Sequence, residues 1–225
     1  MKLKTLIGAA GATAVLLTAH AATAHDADHH KGPKVEKSYD YTGFDRIYIE
    51  GVYSVDIRVG PDFSIDTSGS EKRMKYAKVS QSGDTLILGL KDGLSGKAWR
   101  GKNNGIKAVI TLPSLNEVSL KGVGSVDARG IESKSFDASL EGVGSVELSG
   151  TCGRLKASVE GVGSLEADNL ECKEVDVSVE GMGSAEVYAS ESVDADIEGI
   201  GSIEVDGSPA TVKKSKSFLS SIEVH

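Results

Sequence analysis

Aromatic side chains are scarce in this sequence. Phe, Trp and Tyr make up 5% of its 225 residues, with one tryptophan. A folded core must then be filled by Val, Ile, Leu and Ala. Proline occurs four times, histidine five times and cysteine twice. Two cysteines cannot by themselves supply a four-ligand structural zinc site. Basic charge is also short: 25 Lys and Arg stand against 33 Asp and Glu, for a net charge of −8. That balance excludes a general nucleic-acid binder, because a phosphate backbone demands a basic surface. Past the N-terminus, no apolar run reaches the roughly 20 residues that a membrane helix needs. Glycine is plentiful, at 27 residues, and hydrophobic and charged residues make up 39% and 26%. This is a folded composition with frequent turns, long enough for one domain or two small ones.

Residues 1–24 read as a secretory signal peptide. Lys2 and Lys4 precede an apolar stretch, and Ala22, Thr23 and Ala24 form a small-x-small cleavage site. The mature chain is expected outside the cytoplasm, with no membrane-spanning segment. Residues 25–41 read as a flexible leader. It carries His25, Asp26, Asp28, His29 and His30, a set able to hold zinc, copper or nickel but equally a solvated tract.

A repeat dominates the second half. Gly-x-Gly-Ser recurs with its first glycine at Gly122, Gly142, Gly161, Gly181 and Gly199, at spacings of 20, 19, 20 and 18 residues. The second glycines are Gly124, Gly144, Gly163, Gly183 and Gly201. Two residues before the first glycine stand Leu120, Leu140, Val159, Val179 and Ile197; four after it stand Val126, Val146, Leu165, Ala185 and Ile203. Apolar and polar residues alternate on both flanks, the period of a half-buried strand. Val123, Val143, Val162, Met182 and Ile200 fall one residue after that glycine. Taken as inward-facing, they imply that the alternation slips there, as at a corner where glycine tolerates positive φ and close approach. Units that cannot bury their apolar face alone bury it by stacking. The fold class expected is all-β: a right-handed parallel β-helix, or solenoid, of about 18–20-residue turns over residues 114–206. An irregular N-terminal β-region covers residues 42–113, and residues 207–225 form a capping segment.

Cys152 and Cys172 each lie nine residues before a first glycine, Gly161 and Gly181. Stacking places their Cα atoms about 5 Å apart, which predicts a disulfide in an exported protein. In the N-terminal region, residues 44–50, 52–59, 63–67, 85–90 and 106–112 alternate as strands, with turns at Gly51, Gly60-Pro61 and Gly83-Asp84. Residues 49–56 echo the repeat without its second glycine.

Phe44, Asp45, Arg46 and Ile47, leading into Glu50, Gly51, Val52, Tyr53, Ser54 and Val55, carry a resemblance. So do Leu112, Pro113, Ser114, Leu115, Asn116, Glu117 and Val118, followed by the serial glycine motif. Over residues 42–206 the chain resembles the putative auto-transporter adhesin, head-GIN domain family of bacterial envelope proteins. The resemblance implies the right-handed β-helix and an adhesin-like surface or periplasmic role, and it carries no catalytic residues. Nothing after residue 206 reads as the strands of a membrane barrel, so a self-translocating protein is not expected.

Three features are candidates for chemistry. Residues 115–206 hold 20 Asp and Glu against 6 Lys and Arg. Their acids are ordered as Glu141, Glu160, Glu180 and Glu198 before the glycine, and Glu147, Glu166, Glu186 and Glu204 after it. These rows read as a solvated acidic face or as a surface for divalent cations such as calcium, although no EF-hand loop or calcium nonapeptide is present. The segment from Lys91 to Lys107 gathers Lys91, Lys97, Trp99, Arg100 and Lys102, a set suited to a sugar ring or an anionic polymer. Gly-x-Gly as a phosphate loop fails, since no copy has the third glycine or a following helix. Polysaccharide cleavage rests on fold analogy alone, and the acids follow the repeat rather than interrupting it. The expectation is a non-catalytic, exported binding or structural module of the cell envelope with no cofactor. Its partner would be a surface glycan or protein, and self-association stays open.

Overall fold

The computed structural model describes residues 34–91 and 105–225. Nine strands and one short helix follow in order: β1 (Lys34–Ser38), β2 (Arg46–Val59), β3 (Ser64–Ser70), α1 (Glu71–Met74), β4 (Ala77–Ser82), β5 (Thr85–Leu90), β6 (Ile106–Leu112), β7 (Glu117–Asp206), β8 (Thr211–Lys216) and β9 (Ser220–Val224). All nine strands belong to one sheet.

The all-β expectation holds, but the right-handed parallel β-helix does not. The sheet is mixed and curls into half a barrel. β1 pairs with β3, β3 with β6, and β4 with β5, all antiparallel. β2 pairs in parallel with β5, β6 and β7, and β7 in parallel with β8 and β9. The physical cause lies in the first half of the chain. Gly83 takes φ +60° in a tight turn, so β4 and β5 close as a hairpin, and a hairpin is antiparallel by construction. β3 likewise returns against β6, and β1, from the segment before residue 42, is added at its far side. Gly51 does not end a strand either. β2 runs through it with φ +128°, and the register Gly51↔Gly122 continues across it into β7.

The serial glycines set successive stretches of β7 side by side. A Cβ on Gly142 would lie 2.3 Å from the carbonyl oxygen of Gly122, and one on Gly144 would lie 2.0 Å from that of Gly124. The same contact links Gly161 to Gly142, Gly181 to Gly161 and Gly199 to Gly181. No side chain fits in that space, and the first glycine of each motif has φ between 109° and 138°, where an L-residue is strained.

The core is aliphatic, as the shortage of aromatics requires. Leu120, Leu140, Val159, Val179 and Ile197 are buried, as are Val126, Val146, Leu165, Ala185 and Ile203. Phe44, Tyr53 and Phe136 are the buried aromatic side chains among the described residues. Tyr53 stands where later copies have their second glycine. It points into the core and donates its hydroxyl to the carbonyl of Gly89 at 2.6 Å. Burial, helped by Tyr39, pushes its phenol pKa upward. Cys152 and Cys172 form a disulfide with their Cα atoms 4.5 Å apart, as expected.

Candidate functional site: the outward face of the glycine motifs

Tyr53 fixes the orientation of the whole motif. If the second glycine position faces inward, so does the first, and the residue between them faces out. The exposures agree: Val123 50%, Val143 50%, Val162 44%, Met182 57% and Ile200 52%. These five were expected inside. The alternation does not slip; the two glycines occupy successive inward positions, and their missing side chains disguise it. Within six residues of each first glycine, the buried apolar residues fall at even distances from it, and the residues at odd distances are polar or exposed.

The outward face therefore carries parallel rows, each spaced like strands in a sheet, at about 4.8 Å. One residue before the glycine, Glu160, Glu180 and Glu198 are exposed and Glu141 is half-buried. Lys121 breaks this acid row and pairs with Glu141 at 3.0 Å. The hydrogen bond and charge of Glu141 raise the Lys121 pKa. Next comes the apolar row. Beyond it lies a serine row, in which Ser54 and Ser125 hydrogen-bond at 3.1 Å. A second acid row follows, with Glu147, Glu166, Glu186 and Glu204 all exposed. The strand registers extend it to Asp56 and Asp127 at one end and to Glu223 at the other. Partial desolvation, then repulsion from Glu204, Asp168, Glu166 and Asp206, raises the Glu186 pKa.

These rows do not converge. Among the described residues, no three of His, Cys, Asp and Glu come together as a metal-binding group. Lys91, at the end of β5, is exposed, and its backbone N–H donates to the Tyr76 carbonyl at 2.9 Å. Lys107, on β6, pairs with Asp56 at 2.7 Å. Lys97, Trp99, Arg100 and Lys102 lie outside the described residues, as do the expected signal sequence and the His/Asp tract.

A recess of about 470 Å³ opens on another side, lined by Arg46, Asn116, Glu117, Glu132, Ser133, Lys134, Ser135 and Asp137. Asn116 donates to Asp45 at 2.8 Å and accepts from Ser133 at 2.7 Å, and Arg46 pairs with Glu117 at 3.5 Å. Its charges are mixed in sign, with Arg46 and Glu117 paired, and its lining residues include no histidine or cysteine to act as base or nucleophile. Sequence reasoning passed over this recess, because its lining residues come from β2, from β7 and from the segment between β6 and β7.

Among the described residues, no helix is long and apolar enough to cross a membrane. No curated protein matches the sequence. Among solved structures, the chain is similar to a putative adhesin from Bacteroides fragilis NCTC 9343. That similarity has 25% identity and a TM-score of 0.68, covering 87% of this chain and 98% of the other. A putative adhesin from Parabacteroides merdae ATCC 43184 shares the fold at 17% identity and a TM-score of 0.51, over 88% of this chain and 100% of that one. The family model described as putative auto-transporter adhesin, head GIN domain, matches residues 43–209, and the chain belongs to that family.

Proposed function

We propose that the protein is a non-catalytic, adhesin-like binding module exported to the bacterial cell envelope, where its outward face meets a surface partner. The observation that carries this reading is the outward face itself. Four rows of side chains repeat at strand spacing across one curved sheet, so a partner can be met many times along one line. Family membership supports the adhesin-like part, as does the likeness to the Bacteroides fragilis protein. The signal sequence at residues 1–24 supports export. Catalysis is disfavoured on physical grounds: the acids form spread rows rather than a pair set about one point, and the recess lining carries no histidine or cysteine. For the same reason the acid rows act as a solvating, partner-selecting surface rather than a calcium site.

The test is retention on cells. Mature, fluorescently labelled protein is incubated with intact bacterial cells and with isolated envelope polymers, washed, and quantified. Saturable retention that unlabelled protein displaces is expected. Retention no greater than that of an unrelated acidic protein of similar size would dismiss the reading.

A further inference from the structure

The outward apolar row is longer than the five glycine motifs suggest. The register Val52↔Val123 extends it by one residue into β2. At the other end, Ile197 is paired with Lys216 and Gly201 with Ser220, a constant offset that sets Leu219 beside Ile200. Leu219 is 63% exposed, and its neighbour Phe218 is fully exposed. Val52, Val123, Val143, Val162, Met182, Ile200 and Leu219 thus form one line. Six strand steps make it about 29 Å long. A monomer rarely leaves so continuous an apolar line in water without use for it.

What lies beside the line decides what can cover it. Glu50, Glu141, Glu160, Glu180 and Glu198 flank one side, with Lys121 the one base in that row, paired to Glu141. Beyond the serines on the other side run Asp56, Asp127, Glu147, Glu166, Glu186, Glu204 and Glu223. A second copy placed face to face would bring acid rows against acid rows, and an anionic lipid surface meets the same repulsion. A partner that places apolar side chains on the line and cations on both flanks satisfies both. An amphipathic helix does this with one apolar layer per turn of about 5.4 Å, close to the strand spacing, whereas an extended peptide presents one face every 6.7 Å or so. About 20 helical residues span the line.

We infer that the line from Val52 to Leu219 is a docking surface for a cationic amphipathic helix of a protein partner, held by apolar contact along the line and by Lys or Arg against the flanking glutamates. This rests on the adhesin-like reading and names the partner class for it.

The test uses the mature full chain and two model peptides of about 20 residues. One is an amphipathic helix of Leu and Lys, and the other has Glu for every Lys. Calorimetric titration should show saturable binding of the Leu/Lys peptide and none of the Leu/Glu peptide. The exposed substitutions Val162→Ser, Met182→Ser and Ile200→Ser, combined, should weaken that binding at least about tenfold. Glu160→Gln, Glu180→Gln and Glu198→Gln, combined, should weaken it and flatten its salt dependence. Circular dichroism of both variants should match the unmodified chain. Equal binding of the two peptides overturns the inference, as does binding untouched by the serine changes. It is overturned equally if the serine changes instead abolish binding to vesicles rich in anionic lipid, or abolish a dimer of the chain. Cell retention separates the two claims. Retention unchanged in the serine variant overturns the docking line and leaves the adhesin-like reading standing. Peptide binding without cell retention supports the line and removes that reading.

Discussion

At the scale of single residues, glycine does two different jobs here, and only one of them is spatial necessity. A Cβ on Gly144 would lie 2.0 Å from the Gly124 carbonyl oxygen, with further backbone contacts at 3.1 and 3.2 Å. Those are backbone atoms of a paired strand and cannot move alone. Gly144→Ala is expected to cost on the order of 3 kcal/mol. Gly89, in β5, has nothing within 4 Å of its Cβ position. Gly89→Ala is expected to lie within about 0.5 kcal/mol of the unmodified chain. Urea denaturation of the two variants checks the contrast, and equal costs would dismiss the crowding account. Glu186 supplies a second residue-scale expectation. Its folded pKa is raised, so the folded state holds the carboxyl proton more tightly than the unfolded state. Stability from this group is complete below the unfolded carboxylate range and declines as pH rises through the folded pKa. Glu186→Gln should therefore be more stable than the parent at pH 7, with the gain shrinking on acidification. A gain that grows on acidification would contradict the assigned sign.

At the scale of elements, the disulfide fastens two neighbouring stretches of β7 that lie 20 residues apart in sequence. Closing a loop of that size restricts the unfolded chain, and removing the bond should cost about 3 kcal/mol. Chemical denaturation with and without reductant measures this; identical midpoints would show that the link adds nothing. The pair was legible in the sequence because both cysteines hold the same place relative to the glycines. The strands over residues 44–50, 52–59, 85–90 and 106–112 were legible too, since alternation marks a strand however it is paired, although the first two are one strand through Gly51. Pairing direction was not legible for the same reason: β3 and β6 alternate as cleanly in an antiparallel pair as β2 and β6 do in a parallel one. β1 escaped notice because Lys34, Glu36, Lys37 and Ser38 are exposed on a charged edge strand and bury almost nothing. The apolar row was visible as residues and misplaced as a surface. Valine between two glycines resembles a core position until Tyr53 shows which side the flanking positions face.

At the scale of the whole molecule, an open sheet edge invites another chain to add to it, and the two ends of β7 are treated differently. The N-terminal end is covered by β2 and the antiparallel strands around it. At the other end, β8 and β9 form the last layer, and every residue of β8 is exposed. By register, Lys214 and Lys216 stand opposite Ala195 and Ile197, which are buried. They occupy inward positions and carry charge there. Their side chains are exposed, and their ammonium groups donate to the β9 carbonyls of Ile222 at 3.4 Å and Ser220 at 3.5 Å. Inward-pointing lysines on an edge strand are a known device against edge-to-edge growth, because a further strand would have to bury them. Replacing them with the residues of the preceding layer, Lys214→Ala and Lys216→Ile, should remove that block. The variant is expected to sediment as larger, concentration-dependent species than the unmodified chain while keeping its β-sheet spectrum. If it sediments as the unmodified chain does across the same concentrations, the block resides elsewhere, in the fully exposed Phe218 turn or in the Lys213–Asp194 pair beside it.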